Sequence, residues 1–118
     1  MIRLQIVERH GAGLYRSLVR AMRSGELRTF NVARRGRKVT HANPSYTGWI
    51  NWSASGGVIT CEVLSPRKPG TEWRLLSAFV GRLADKYADR VHSINVQFPG
   101  LPVVRPSGRK RPKPRRKR

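Results

Sequence analysis

In 118 residues the chain sets 25 Lys and Arg against six Asp and Glu, a formal net charge of +19, and 19 of the 25 bases are Arg. Residues 105–118 hold nine bases and no acid, so residues 1–104, with sixteen bases and six acids, remain +10 by themselves. One cysteine excludes an internal disulfide and a thiolate-rich zinc site, and no apolar run reaches the ~20 residues of a membrane span.

The length suits one domain of about 100 residues, and 38% hydrophobic composition is enough for a single core. Arg presents a planar, weakly hydrated fork that grips phosphate in two places and stacks on bases, so the bias toward Arg favours a nucleic acid over generic solubility. A polyanion would also relieve the self-repulsion of so much positive charge in a compact fold.

MIRLQIVE alternates, Ile2, Leu4 and Ile6 on one side and Arg3 and Gln5 on the other, which predicts a half-buried strand. HGAG breaks it. LYRSLVRAMRSGE reads as a helix with Leu14, Leu18 and Met22 spaced by fours, ended by Ser24-Gly25. LRTFNVARRGRKVTH reads as a hairpin turning near Arg35-Gly36, and ANPSYTG as a loop punctuated by Pro44.

GWINWSAS and VITCEVLS form a second hairpin about Gly56-Gly57, with Ile50, Trp52 and Ala54 facing the same way as Ile59, Cys61 and Val63. Cys61, inside that apolar pattern, is expected to act as a small buried hydrophobe. After the PRKPG linker, Thr71 is placed to cap a helix running through TEWRLLSAFVGRLADKYADRV, whose apolar residues Leu76, Phe79, Val80, Leu83, Tyr87 and Val91 have amphipathic spacing. SINVQF closes as a strand with Ile94, Val96 and Phe98 inward, and Pro99 and Pro102 stop it.

Alternating strands imply a sheet with one wet face. The expected architecture is therefore α+β: a two-layer sandwich, a mainly antiparallel sheet of five or six strands with two helices on one face. Residues 1–100 form the basic domain, and residues 101–118 an Arg/Lys/Pro-rich tail expected to be disordered when free. The strand–helix–strand order with an open sheet is similar to the layout of RNA-recognition motifs, but their aromatic run is absent, so the similarity is one of architecture.

Four features point to nucleic acid. The open face should display Arg3, Gln5, Asn31, Trp49, Asn51, Thr60, Asn95 and Gln97, amides for base edges and an indole for stacking; a one-residue register slip would exchange Trp49 for Trp52. The ARRGRK hairpin tip carries Arg34, Arg35, Arg37 and Lys38 with no acid between Arg28 and Glu62. On the first helix Arg16, Arg20 and Arg23 stand at i, i+4, i+7 as one stripe opposite the apolar one. The tail, with Arg109, Lys110, Arg111, Lys113, Arg115, Arg116, Lys117 and Arg118, adds phosphate contacts without sequence information, and also fits a nuclear-import signal if the source is eukaryotic or viral. Arg74, Arg82, Lys86 and Arg90 are diluted by Glu72, Asp85 and Asp89 and read as an ordinary solvated helix face.

Gly11 and Gly13 between strand and helix lack the remainder of a phosphate-loop motif, and the six acids form no cluster for a metal-dependent nuclease. No catalytic residue, metal ligand or cofactor is expected. The sequence reads as a small, non-enzymatic nucleic-acid-binding protein, RNA ahead of DNA, suited to a nucleoprotein assembly with protein partners. Cytoplasmic or nucleoid-associated placement is expected (nuclear for a eukaryotic or viral source), with no membrane partner. Two alternatives stand beside it: a metal-independent ribonuclease or toxin using His10, His41 or His92 with Arg, and an interaction or inhibitor module for an acidic protein surface.

Overall fold

A computed structural model describes residues 1–33 and 35–100. In chain order the elements are β1 (Ile2–Glu8), α1 (Leu14–Ser24), β2 (Phe30–Ala33), β3 (Lys38–His41), β4 (Trp49–Ser55), β5 (Val58–Leu64), α2 (Glu72–Lys86) and β6 (Val91–Gln97). The strands make one open sheet in the order β2-β3-β4-β5-β1-β6, every pairing antiparallel. Both helices bury their apolar stripes on the same face, so the chain is an α+β two-layer sandwich, as its alternation requires.

The core is the set of inward positions the periodicities single out. Ile2, Leu4 and Ile6 of β1 meet Val63, Cys61 and Ile59 of β5 in register, and Ile50 and Trp52 of β4 continue the layer. Leu14, Leu18 and Met22 of α1 and Leu75, Leu76, Phe79 and Leu83 of α2 close it from above. Phe79 joins the halves edge-on, its ring 5.5 Å from Phe30 and 5.9 Å from Trp52. Burial pushes the Cys61 thiol up to about 12, so it stays protonated and packs as the expected small hydrophobe.

Four local readings need correction. The second helix stops at Lys86 rather than running to Val91. The Tyr87 N–H closes its last turn on Leu83 O, and the Arg9 N–H then draws Arg90 O into the sheet, so Val91 opens β6 two residues before the expected start. Thr71 stands at the N-cap position without capping: its hydroxyl donates to Lys68 O at 2.6 Å, tying the linker instead. Ile94 packs against the core, but Val96 near the end of the edge strand β6 and Phe98 just beyond it, both expected inward, are 39% and 56% exposed. Ala54, expected inward, is also exposed.

The described residues contain no helix long and apolar enough to cross a membrane. Residues 101–118, expected as a disordered tail, lie outside the described residues.

Candidate nucleic-acid interface

Gly36 is the joint that assembles the basic surface. It sits in the β2–β3 turn with φ +88°, a left-handed conformation suited to glycine, and it is buried. Its carbonyl oxygen accepts the Tyr15 hydroxyl at 2.9 Å and the Trp52 indole N–H. A Cβ built on Gly36 would stand 3.7–3.8 Å from Tyr15, Val19 and Arg23 of α1, so the turn lies flat against the helix. Two clusters that the sequence offers separately therefore become one. Arg16, Arg20 and Arg23 rim a cleft of about 690 Å³ with Arg35 across from them, and Tyr15 and Val19 contribute to its lining.

On the other side of the turn, Arg35, Arg37, Lys38 and Asn51 line a second cleft of about 520 Å³ with the edge of Trp52. Arg35 belongs to both. Among the described residues no carboxylate lines either cleft, and none of Arg16, Arg20, Arg23, Arg35, Arg37 and Lys38 has an acidic oxygen within 4 Å. Carboxylates are engaged elsewhere: Glu62 with Arg3, Glu72 with the Met1 ammonium, Asp85 with Arg82, and Glu8 accepting the Gly13 N–H at the start of α1. Six cations facing water without counterions leave a local field that an anion would neutralise.

Arg35 carries a further mark. Among the described residues it is the one non-glycine with positive φ, +58°, a conformation that costs a side-chain-bearing residue on the order of 1–2 kcal/mol. Backbone strain held at a charged, exposed position directs attention to that side chain. Arg35→Gly is expected to leave thermal stability unchanged or raise it by up to about 1 kcal/mol while weakening polyanion binding. Paired melting and binding curves check these opposite signs.

The open face follows the predicted alternation. Lys38, Asn51, Glu62, Arg3 and Gln97 form one straight row across β3, β4, β5, β1 and β6, and Ser53, Thr60, Gln5 and Asn95 form the next polar row. Trp52 is 3% exposed in the core and Trp49 lies half-buried on the open side, so the register keeps the two indoles apart as read. Glycine is obligatory just before Trp49: at Gly48, φ +93°, a Cβ would fall 2.0 Å from Leu64 O.

The Lys38 ammonium stands 4.5 Å from the Trp49 ring centroid. Trp49 also walls a cavity of about 550 Å³ shared with Thr40, His41, Pro44, Tyr46 and Arg67. His41 stacks on Tyr46 with centroids 3.9 Å apart, and the Arg74 guanidinium stands 5.1 Å from the Tyr46 ring. Burial, and secondarily the Arg82 charge, lower the His41 pKa, and its Nδ1 accepts the Asn43 N–H. Tyr15, Tyr46 and Arg67 were not singled out by sequence. Tyr15 stands at i, i+4 with Val19 just off the apolar stripe, a signal present in the helix, whereas Arg67 read only as linker.

The histidines do not converge. His41 ends β3 beside the start of β4, whereas His10 follows β1 and His92 lies in the first residues of β6, at the opposite end of the sheet. Among the described residues no group of three or more His, Cys, Asp or Glu could hold a metal ion. Arg34 and the tail bases Arg109 to Arg118 lie outside the described residues. Comparison with protein-family models, with curated proteins and with solved structures returns no match.

Proposed function

We propose that the chain is a non-enzymatic nucleic-acid-binding protein that holds the phosphate backbone in the clefts on either side of the β2–β3 turn. The observation that carries the reading is the convergence of Arg16, Arg20 and Arg23 with Arg35 around a cleft with no carboxylate. Adjacent guanidinium groups on a rigid helix and an anchored turn suit consecutive phosphates better than scattered surface charge does. The Trp49 wall and the amides of the open face suit unpaired bases, which favours RNA and single strands over duplex DNA. The charge and size fit a subunit of a nucleoprotein assembly, cytoplasmic or nucleoid-associated, or nuclear for a eukaryotic or viral source.

Fluorescence-anisotropy titrations against single- and double-stranded RNA and DNA, with the substrate run afterwards on a denaturing gel, test the proposal. Binding with intact substrate supports it; cleaved RNA would move the reading to a ribonuclease, and no binding would remove it. Every element among the described residues lies within residues 2–97, so a 1–104 chain retains the clefts. Its loss of nine bases is expected to weaken binding and flatten the dependence of log K on log salt, without abolishing either.

A further inference from the structure

The two edges of the sheet are built differently. β2 has four residues, with Arg28 before it and Arg35 after it, and a short edge flanked by charge resists strand addition. β6 has seven residues, and the run VHSINVQF, residues 91–98, contains no Lys, Arg, Asp, Glu or Pro. The same freedom from charge extends over residues 39–61, which supply most of the interior strands β3 to β5. β6 has the composition of an interior strand in the position of an edge strand.

Its neighbourhood repeats the mismatch. The exposed large apolar side chains among the described residues are Met1, Trp73, Val96 and Phe98. Val96 is in register with Leu4 on the helix side, and Phe98 follows two positions later. The Met1 ammonium meets the Glu72 carboxylate at 3.3 Å, which ties the start of α2, and with it Trp73 at 57% exposure, to the same end of β1. Among the described residues, an unpaired strand edge and an exposed apolar strip thus adjoin each other.

We infer that this edge is a self-association surface, on which β6 of a second copy pairs antiparallel across a two-fold axis. Charge selects the occupant. A two-fold interface places like on like, which suits a neutral edge and penalises a basic one. The Arg-lined clefts adjoin the other half of the sheet, so meeting at β6 keeps the charge of the two sets of clefts apart. An acidic partner would be drawn to those clefts instead. The second copy supplies both missing parts, a strand for the edge and apolar cover for Val96, Phe98 and Trp73. The product is a twelve-stranded sheet whose outermost strands are separated by roughly 50 Å at ~4.8 Å per strand spacing, with a basic cleft toward each end.

The test uses the full chain, freed of nucleic acid by nuclease and high salt, in sedimentation equilibrium over a hundredfold concentration range. The expected mass is twice the 13.4 kDa of one chain. Val96→Lys, and separately Phe98→Lys just beyond the strand, are each expected to raise the dimer dissociation constant at least tenfold, with an unchanged circular dichroism spectrum. Hydrogen exchange of residues 91–97 should slow as concentration rises. A monomer at every concentration would overturn the inference, as would a dimer that both variants leave intact or one that forms only when nucleic acid is added. The measurement contains no nucleic acid, so its outcome is separable from that of the proposed function.

Discussion

Replacing Arg16, Arg20, Arg23, Arg35 and Arg37 together with glutamine is expected to lower affinity for single-stranded RNA by two to three orders of magnitude near physiological salt. Each lost guanidinium–phosphate contact removes a charge-assisted hydrogen bond and the counterion release that accompanies it. On single strands the salt slope changes by about 0.7 per phosphate, so five contacts correspond to a fall of about 3.5 in its magnitude. All five side chains are exposed and free of ion pairs among the described residues, and the melting temperature should barely move. Replacing Arg74, Arg82 and Lys86 on the mixed-charge outer face of α2 with glutamine should cost far less affinity per substitution. Titrations at four salt concentrations give both quantities.

The second large effect separates the two indoles. Trp52→Ala is expected to destabilise the fold by about 3–5 kcal/mol, the usual cost of removing a buried Trp or Phe. The cavity would open beside Phe79 and Tyr15, whose rings lie 5.9 and 4.9 Å from that of Trp52. It would also remove one of the two donors to Gly36 O that anchor the turn against α1. Much of that loss should appear as reduced binding as well, because Arg35 is held by the same turn. Trp49→Ala should leave the urea midpoint nearly unchanged and weaken binding to unpaired RNA by about 1–3 kcal/mol, with little effect on duplex. If the open face stacks bases, urea unfolding separates the two variants, whereas RNA titration shows both binding less tightly, Trp49→Ala on unpaired RNA alone.

Much of this fold was legible because local and long-range signals agree. In β1, β4 and β5 the buried residues fall on every second position, Ile2, Leu4 and Ile6, Ile50 and Trp52, and Ile59, Cys61 and Val63, as the alternation predicts. α1 was bounded by its Leu14, Leu18 and Met22 spacing and by Gly25, whose φ of +85° ends the helix as expected. What failed did so where tertiary contacts overrule periodicity. Val91 continues the helical spacing of α2, but the backbone bond from Arg9 to Arg90 takes the chain into the sheet first. Thr71 has a capping side chain, but its hydroxyl donates to Lys68 O and accepts no N–H of the first helical turn.

The candidate site was legible in its parts and illegible in its assembly. The Arg16, Arg20 and Arg23 stripe and the ARRGRK tip are both visible as charge patterns. Their union depends on a buried glycine carbonyl shared by Tyr15 and Trp52, a contact between residues 15, 36 and 52 that no spacing rule encodes. The cavity beside Trp49 was hidden for the same reason: Tyr46, Arg67 and Trp49 come from a loop, a linker and a strand end. Charge announces a partner, whereas the packing that aims the charge appears only in three dimensions.

The folded domain, through the turn against α1, is proposed as the surface that touches nucleic acid. Photocrosslinking the full chain to a single-stranded RNA bearing 4-thiouridine, followed by mapping of the crosslinked peptides, tests this. Crosslinks are expected in residues 15–38 and near Trp49, retained in the 1–104 chain and lost when the five arginines are replaced. Crosslinks confined to residues 101–118, or to the outer face of α2, would contradict it.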